Sequence, residues 1–78
     1  MIKNSETRRA FAVCVRNEGY EASLELHKIY AVLPDTDAEQ EHDIRVVDES
    51  GEDYLYPADW FVRIDVPLEV EASLIQAS

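Results

Sequence analysis

Between residues 10 and 66 the chain is cut into five short β-rich runs, and a breaker stops each one before it grows long. Ala10-Phe11-Ala12-Val13-Cys14-Val15 gives way to Arg16-Asn17-Glu18-Gly19, where Gly19 can take a positive φ. Leu24 and Leu26 lead into Lys28-Ile29-Tyr30-Ala31-Val32-Leu33, and Pro34 ends that run because proline donates nothing to a ladder. Ile44-Arg45-Val46-Val47 and Asp53-Tyr54-Leu55-Tyr56 flank a short acidic loop, which predicts a hairpin with Gly51 in a left-handed slot. After Pro57-Ala58-Asp59-Trp60, the stretch Phe61-Val62-Arg63-Ile64-Asp65-Val66 alternates, with Val62, Ile64 and Val66 on one face and Arg63 and Asp65 on the other. Short strands and tight turns predict an all-β chain. Closing the sheet into a barrel would remove its edges.

The remaining segments fit around that frame. Residues 1–8 are polar and are expected to fray. Residues 34–43 form an acidic connection in which Thr36-x-x-Glu39 fits a capping box and a single helical turn. Pro67 suits the first position of a helix over 67–77, Glu69 and Glu71 suit its first turn, and Leu68, Ala72 and Ile75 make a weak apolar stripe. No internal repeat is visible.

At 78 residues the chain is expected to form one domain, 1–78. Its total stability should be about 4–12 kcal/mol, which favours binding or scaffolding over strained catalytic machinery. Seventeen acidic and seven basic side chains give −10, so the chain should stay soluble and be repelled by phosphate backbones and anionic lipid. Direct nucleic-acid binding, which rests on lysine and arginine displacing counterions, is opposed by that balance. Cys14 is alone, so no disulfide framework is indicated. The apolar run at 10–15 is too short for a signal core or a spanning helix, and a reduced cytoplasm is the expected setting.

Candidate chemical sites are few. Counting from Asp35, an EF-hand loop would need glycine where Gln40 stands and a bidentate glutamate where Val46 stands. His27 and His42 have neither helical partners nor a cysteine pair to complete a zinc set. Cys14 sits mid-strand among apolar residues, where a thiol behaves as a small hydrophobe. No catalytic, metal or cofactor site is therefore expected. Two surface features remain. Residues 34–54 carry nine acids against Arg45 alone, a net of −8, and the fold is expected to gather them into one acidic rim. Tyr20, Tyr54, Tyr56 and Trp60 either cap the barrel with only their polar tips wet or make an exposed interaction patch. Tyr30 and Phe11 are expected in the core.

Two stretches resemble SH3-like barrels. Glu25-Leu26-His27-Lys28-Ile29-Tyr30-Ala31-Val32-Leu33 is similar to their second strand, and Tyr56-Pro57-Ala58-Asp59-Trp60-Phe61-Val62 resembles the Pro-x-Asn-aromatic-Val segment that turns into their last strand. The resemblance covers about residues 10–66 and implies a five-stranded SH3-like barrel with a short C-terminal helix. A closer likeness is to small bacterial proteins of an uncharacterised family, through residues 17–26 and 48–57. It implies a bacterial setting and no mechanism. The likeness to peptide-binding SH3 domains is partial. It places Pro57 and Trp60 in a groove, with Asp59 in the asparagine position and Glu18 and Glu21 as loop acids. The Ala-Leu-Tyr-Asp-Tyr segment and the tryptophan opening strand three are missing, and Ile44 and Arg45 stand at the latter place.

The expected function is non-enzymatic: a protein-interaction or regulatory module using Tyr20, Tyr56, Pro57, Asp59, Trp60, Glu49, Glu52 and Asp53. Its partner would be a protein, and a basic one suits an acidic rim. The alternatives are a nucleic-acid-related role, through mimicry or weak single-strand binding, and small-ligand binding. The chain is expected to be a monomer or weak dimer.

Overall fold

The computed structural model describes residues 10–77, with side chains as far as Ser73. The segment expected to fray, residues 1–8, lies outside the described residues, as does the side chain of Ile75. The elements are β1 (Ala10–Cys14), β2 (Ile29–Leu33), a short helix α1 (Thr36–Gln40), β3 (Asp43–Val47), β4 (Asp53–Pro57), a 3₁₀ turn (Ala58–Trp60), β5 (Phe61–Ile64) and helix α2 (Leu68–Ala77). All strand pairs are antiparallel, in the order β4-β3-β2-β1-β5. The fold is thus all-β with a short C-terminal helix.

The sequence favoured a closed barrel. Among the described residues the sheet is not closed by hydrogen bonds, since β4 pairs with β3 and β5 with β1. The two edge strands meet through side chains: the Tyr56 and Phe61 rings lie 6.1 Å apart. A three-residue 3₁₀ turn separates them.

Alternation puts one side chain in two into a single core. Ala12 and Cys14 of β1, Tyr30 and Val32 of β2, Ile44 and Val46 of β3, Tyr56 of β4 and Phe61 of β5 form it, with Leu24 inserted from the first loop. Register enforces this, because directly paired residues share a face: Ala12 opposes Tyr30, Ile44 opposes Tyr56, and Cys14 opposes Phe61. Phe11 is buried on the other side of β1, between Ala31 and Ile64. Both Phe11 and Tyr30 are core residues, as expected.

Several boundaries differ from the sequence pattern. β1 ends at Cys14 rather than Val15, although the Val15 N–H still donates to the Trp60 carbonyl at 2.8 Å. β5 ends at Ile64, and its buried anchor is Phe61 while Val62 is 53% exposed. Phe61 outcompetes the valine row because it opposes Cys14, at the centre of the core. In α1 the cap is Asp35 rather than Thr36: its Oδ1 accepts the Ala38 N–H at 3.0 Å, and a charged acceptor serves better than a hydroxyl. Pro67 precedes α2 rather than opening it, and its carbonyl accepts the Glu71 N–H. The proposed stripe on α2 does not dock through Leu68, which is 69% exposed, or through Ala72. Val66 and Glu71 instead line a groove with Phe11, Arg63 and Ile64.

Two histidines do glycine's work. His27 has φ 67° and forms a bulge: with Lys28 it faces Cys14, donating to the Cys14 carbonyl at 2.7 Å while the Cys14 N–H donates to Lys28 at 3.0 Å. His42, φ 64°, ends α1 in the left-handed conformation, and its carbonyl accepts the Ala58 N–H at 2.9 Å. Its side chain is exposed. His42→Gly should therefore raise unfolding stability by about 0.5–1 kcal/mol, read as a higher urea midpoint at unchanged slope. A lower midpoint would show that the imidazole itself contributes.

Candidate functional site: an aromatic cluster beside the hairpin tip

The first loop, β4 and the 3₁₀ turn bring three aromatic residues together. The Tyr20 ring meets Tyr56 edge-on at 5.5 Å and Trp60 at 5.7 Å, and the Tyr56 and Trp60 rings stack at 6.3 Å with 24° between planes. These separations fall in the attractive range for aromatic pairs. The three differ in exposure. Tyr56 is buried, Trp60 is half-buried against the core, and Tyr20 is 51% exposed. Pro57 and Asp59 are exposed beside them in sequence. The result is a small aromatic platform: Tyr56 is its floor, and Tyr20 and Trp60 make its outer surface.

Tyr20 is on a built loop. Its N–H donates to Asn17 at 2.8 Å, and its carbonyl accepts from Ser23 and Leu24, both at 2.9 Å. The Asn17 amide donates to the Leu24 carbonyl at 2.9 Å and closes the loop over the buried Leu24 side chain. Gly19, φ 85°, supplies the reversal. Glu21 accepts the Gly19 N–H at 3.3 Å, and Glu18 lies 3.5 Å from Arg16, both at the surface.

Tyr54 lies outside the cluster's ring contacts though on the same strand face as Tyr56. It opposes Val46, as Tyr56 opposes Ile44, but it lies toward the open end and is about half-exposed. Its hydroxyl donates to Glu52 at 3.1 Å.

The hairpin acids are not equivalent. Asp48 is buried: Oδ1 accepts from the Ser50 N–H at 2.9 Å and hydroxyl at 2.6 Å, and Oδ2 accepts from the Tyr56 hydroxyl at 2.6 Å. Burial pushes this carboxyl up, but the bonds from Ser50 and Tyr56 outweigh it and leave it below the usual range. Glu49 receives Lys28 Nζ at 2.6 Å and the Tyr30 hydroxyl at 2.5 Å on one oxygen, and these hold it low. The Tyr30 oxygen also accepts the Glu25 N–H at 2.7 Å. Two core tyrosines thus fasten the hairpin tip, one to each of two successive acids.

The acidic rim is joined but partly neutralised. Arg45 bonds Asp35 at 2.7 Å and Asp53 at 2.9 Å, tying the α1 loop to the hairpin. Arg63 approaches Glu39 at 3.7 Å. Of the acids proposed for partner binding, Glu49 and Asp53 have carboxylates engaged within the fold, while the Glu52 carboxylate accepts from the exposed Tyr54 hydroxyl. Sequence reasoning missed Leu24 and Asp48 as the parts that shape the site. Their roles depend on long-range packing that no spacing rule reports.

Tyr56 supplies a pH test. Burial, followed by its bond to the Asp48 carboxylate, pushes its pKa up to about 12, from the 10.0 of an ordinary tyrosine. A group whose folded pKa is raised contributes stability that is full below the unfolded pKa and is lost above it. Unfolding stability should therefore fall as pH rises from about 10 toward 12, and Tyr56→Phe should flatten that fall. An unchanged slope in the variant would sink this reading.

Cys14 is fully buried, and its thiol, pushed up mainly by burial, donates to the Arg16 carbonyl at 3.3 Å. Among the described residues no cluster of three or more histidine, cysteine, aspartate or glutamate side chains is placed to hold a metal. Among the same residues no helix is long and apolar enough to cross a membrane. No protein-family model, curated protein or solved structure matches the chain.

Proposed function

We propose that the chain is a non-enzymatic protein-interaction module of the SH3-like type, acting in a bacterial cytoplasm. The strand order, the β3–β4 hairpin and the 3₁₀ turn before β5 support the fold assignment. The observation that carries the function is the Tyr20–Trp60 surface resting on Tyr56, half-exposed at Tyr20. An aromatic surface with a rigid floor is what a binding hot spot requires. Its surroundings are acidic, through Glu18, Glu21 and Asp59, all exposed, so the reading favours a protein partner that presents a basic segment. The rim contributes through Glu52 more than through Glu49 or Asp53, whose carboxylates already serve the fold.

The test is affinity capture from the source cell, comparing the wild type with Tyr20→Ala and with Glu52→Lys/Asp59→Lys. A discrete partner should be retained by the wild type, be released by raised salt, and be lost about tenfold or more from Tyr20→Ala. Equal retention by all three proteins would overturn the reading. Capture of nucleic acid instead, weakening with salt, would favour the nucleic-acid alternative.

A further inference from the structure

We infer that Asp48 is a positioning residue for the aromatic platform, so that the hairpin tip sets the shape of the recognition surface. This rests on the interaction reading above. One carboxylate does two jobs. Its Oδ1 folds the turn by accepting from the Ser50 backbone and hydroxyl, and its Oδ2 holds the Tyr56 hydroxyl. Tyr56 is the floor on which both Tyr20 and Trp60 rest. The turn and the platform therefore share one residue, and they share a strut as well: the Glu49 N–H donates to the Ser23 carbonyl at 3.0 Å, three residues from Tyr20. A change in the turn is passed to the Tyr56 hydroxyl, then to its ring, then to the exposed pair. Bonds of this kind, buried and to a charged acceptor, are short and directional enough to fix a ring.

The second tyrosine fastening gives a matched control. Tyr30 also donates its hydroxyl to a hairpin acid, but its ring faces Phe61 at 6.5 Å rather than Tyr20 or Trp60. Removing either hydroxyl should weaken the fold, but only the Tyr56 ring touches Tyr20 and Trp60 directly, so its loss should disturb the platform more.

The experiment uses Tyr56→Phe, Asp48→Asn and Tyr30→Phe in the full chain, with Trp60, the single tryptophan, as reporter. Its emission maximum, its quenching by acrylamide and the near-UV circular dichroism are read well below the unfolding transition. Tyr56→Phe and Asp48→Asn should red-shift the emission, increase quenching and diminish the dichroism band. Tyr30→Phe, which reaches the platform only through Glu49, Glu25 and Phe61, should change all three markedly less. Wild-type signals in Tyr56→Phe, or an equal change in Tyr30→Phe, would overturn the inference. Should Asp48→Asn not fold, Tyr56→Phe decides alone. No partner enters these measurements. Their failure therefore differs from failure of the interaction reading, which the capture experiment reports.

Discussion

Leu24→Ala should lower unfolding stability by about 3 kcal/mol, within the range for large-to-small changes in a packed core. Leu24 belongs to no strand, yet it is fully buried and inserts between the sheet and the first loop. A domain of this size has only about 4–12 kcal/mol in total, so the variant should lose a large share of it and unfold near physiological temperature. The Asn17 amide caps the Leu24 carbonyl, which fixes the loop that carries Tyr20. The variant should therefore loosen the loop as well as the core. Urea denaturation checks the first effect and hydrogen exchange at Tyr20 to Leu24 the second. A loss under about 1 kcal/mol would show that the loop collapses onto the vacancy.

The second large effect is Asp48→Ala, with an expected loss of about 2–4 kcal/mol. It removes the acceptor for Ser50 and for the buried Tyr56 hydroxyl, which keeps only its bond with Ser23. The effect should also depend on pH. Asp48 and Glu49 both have folded pKa values below the ordinary carboxylate range. Such groups contribute stability that is present above the unfolded pKa, about 4, and is lost as pH falls through the folded one. The wild type should thus weaken on acidification below about pH 4, and Asp48→Ala should weaken less steeply there. Parallel pH profiles for the two proteins would contradict the assignment.

The strands were legible because each is bounded by a chemical stop. Pro34 and Gly51 acted as expected, Pro57 is the last residue of β4 rather than the first beyond it, and the Asp48-Glu49-Ser50-Gly51 turn gave the hairpin. The cap of α1 was missed by one residue, since Asp35 and Thr36 are both good N-cap types and only the geometry separates them. Left-handed positions were legible at glycine and not at His27 and His42, where tertiary pairing imposes the conformation. The gathering of Tyr20, Tyr56 and Trp60 was anticipated as one of two arrangements, and the structure has features of each: Tyr56 is buried with its hydroxyl on Asp48, whereas Tyr20 is open. The internal bonds of the acids were not legible, for a physical reason. Charge counted along the chain takes no account of which carboxylates will be turned inward to receive a tyrosine, a lysine or an arginine.

A partner is expected to sit on the Tyr20 and Trp60 surface. Photocrosslinking tests this most directly, with a benzophenone side chain placed at Tyr20 or, as control, at Leu55, which is exposed on the opposite strand face from Tyr56. One discrete protein adduct should form from position 20 and none from position 55. Adducts of the same size from both positions, or from position 55 alone, would contradict it.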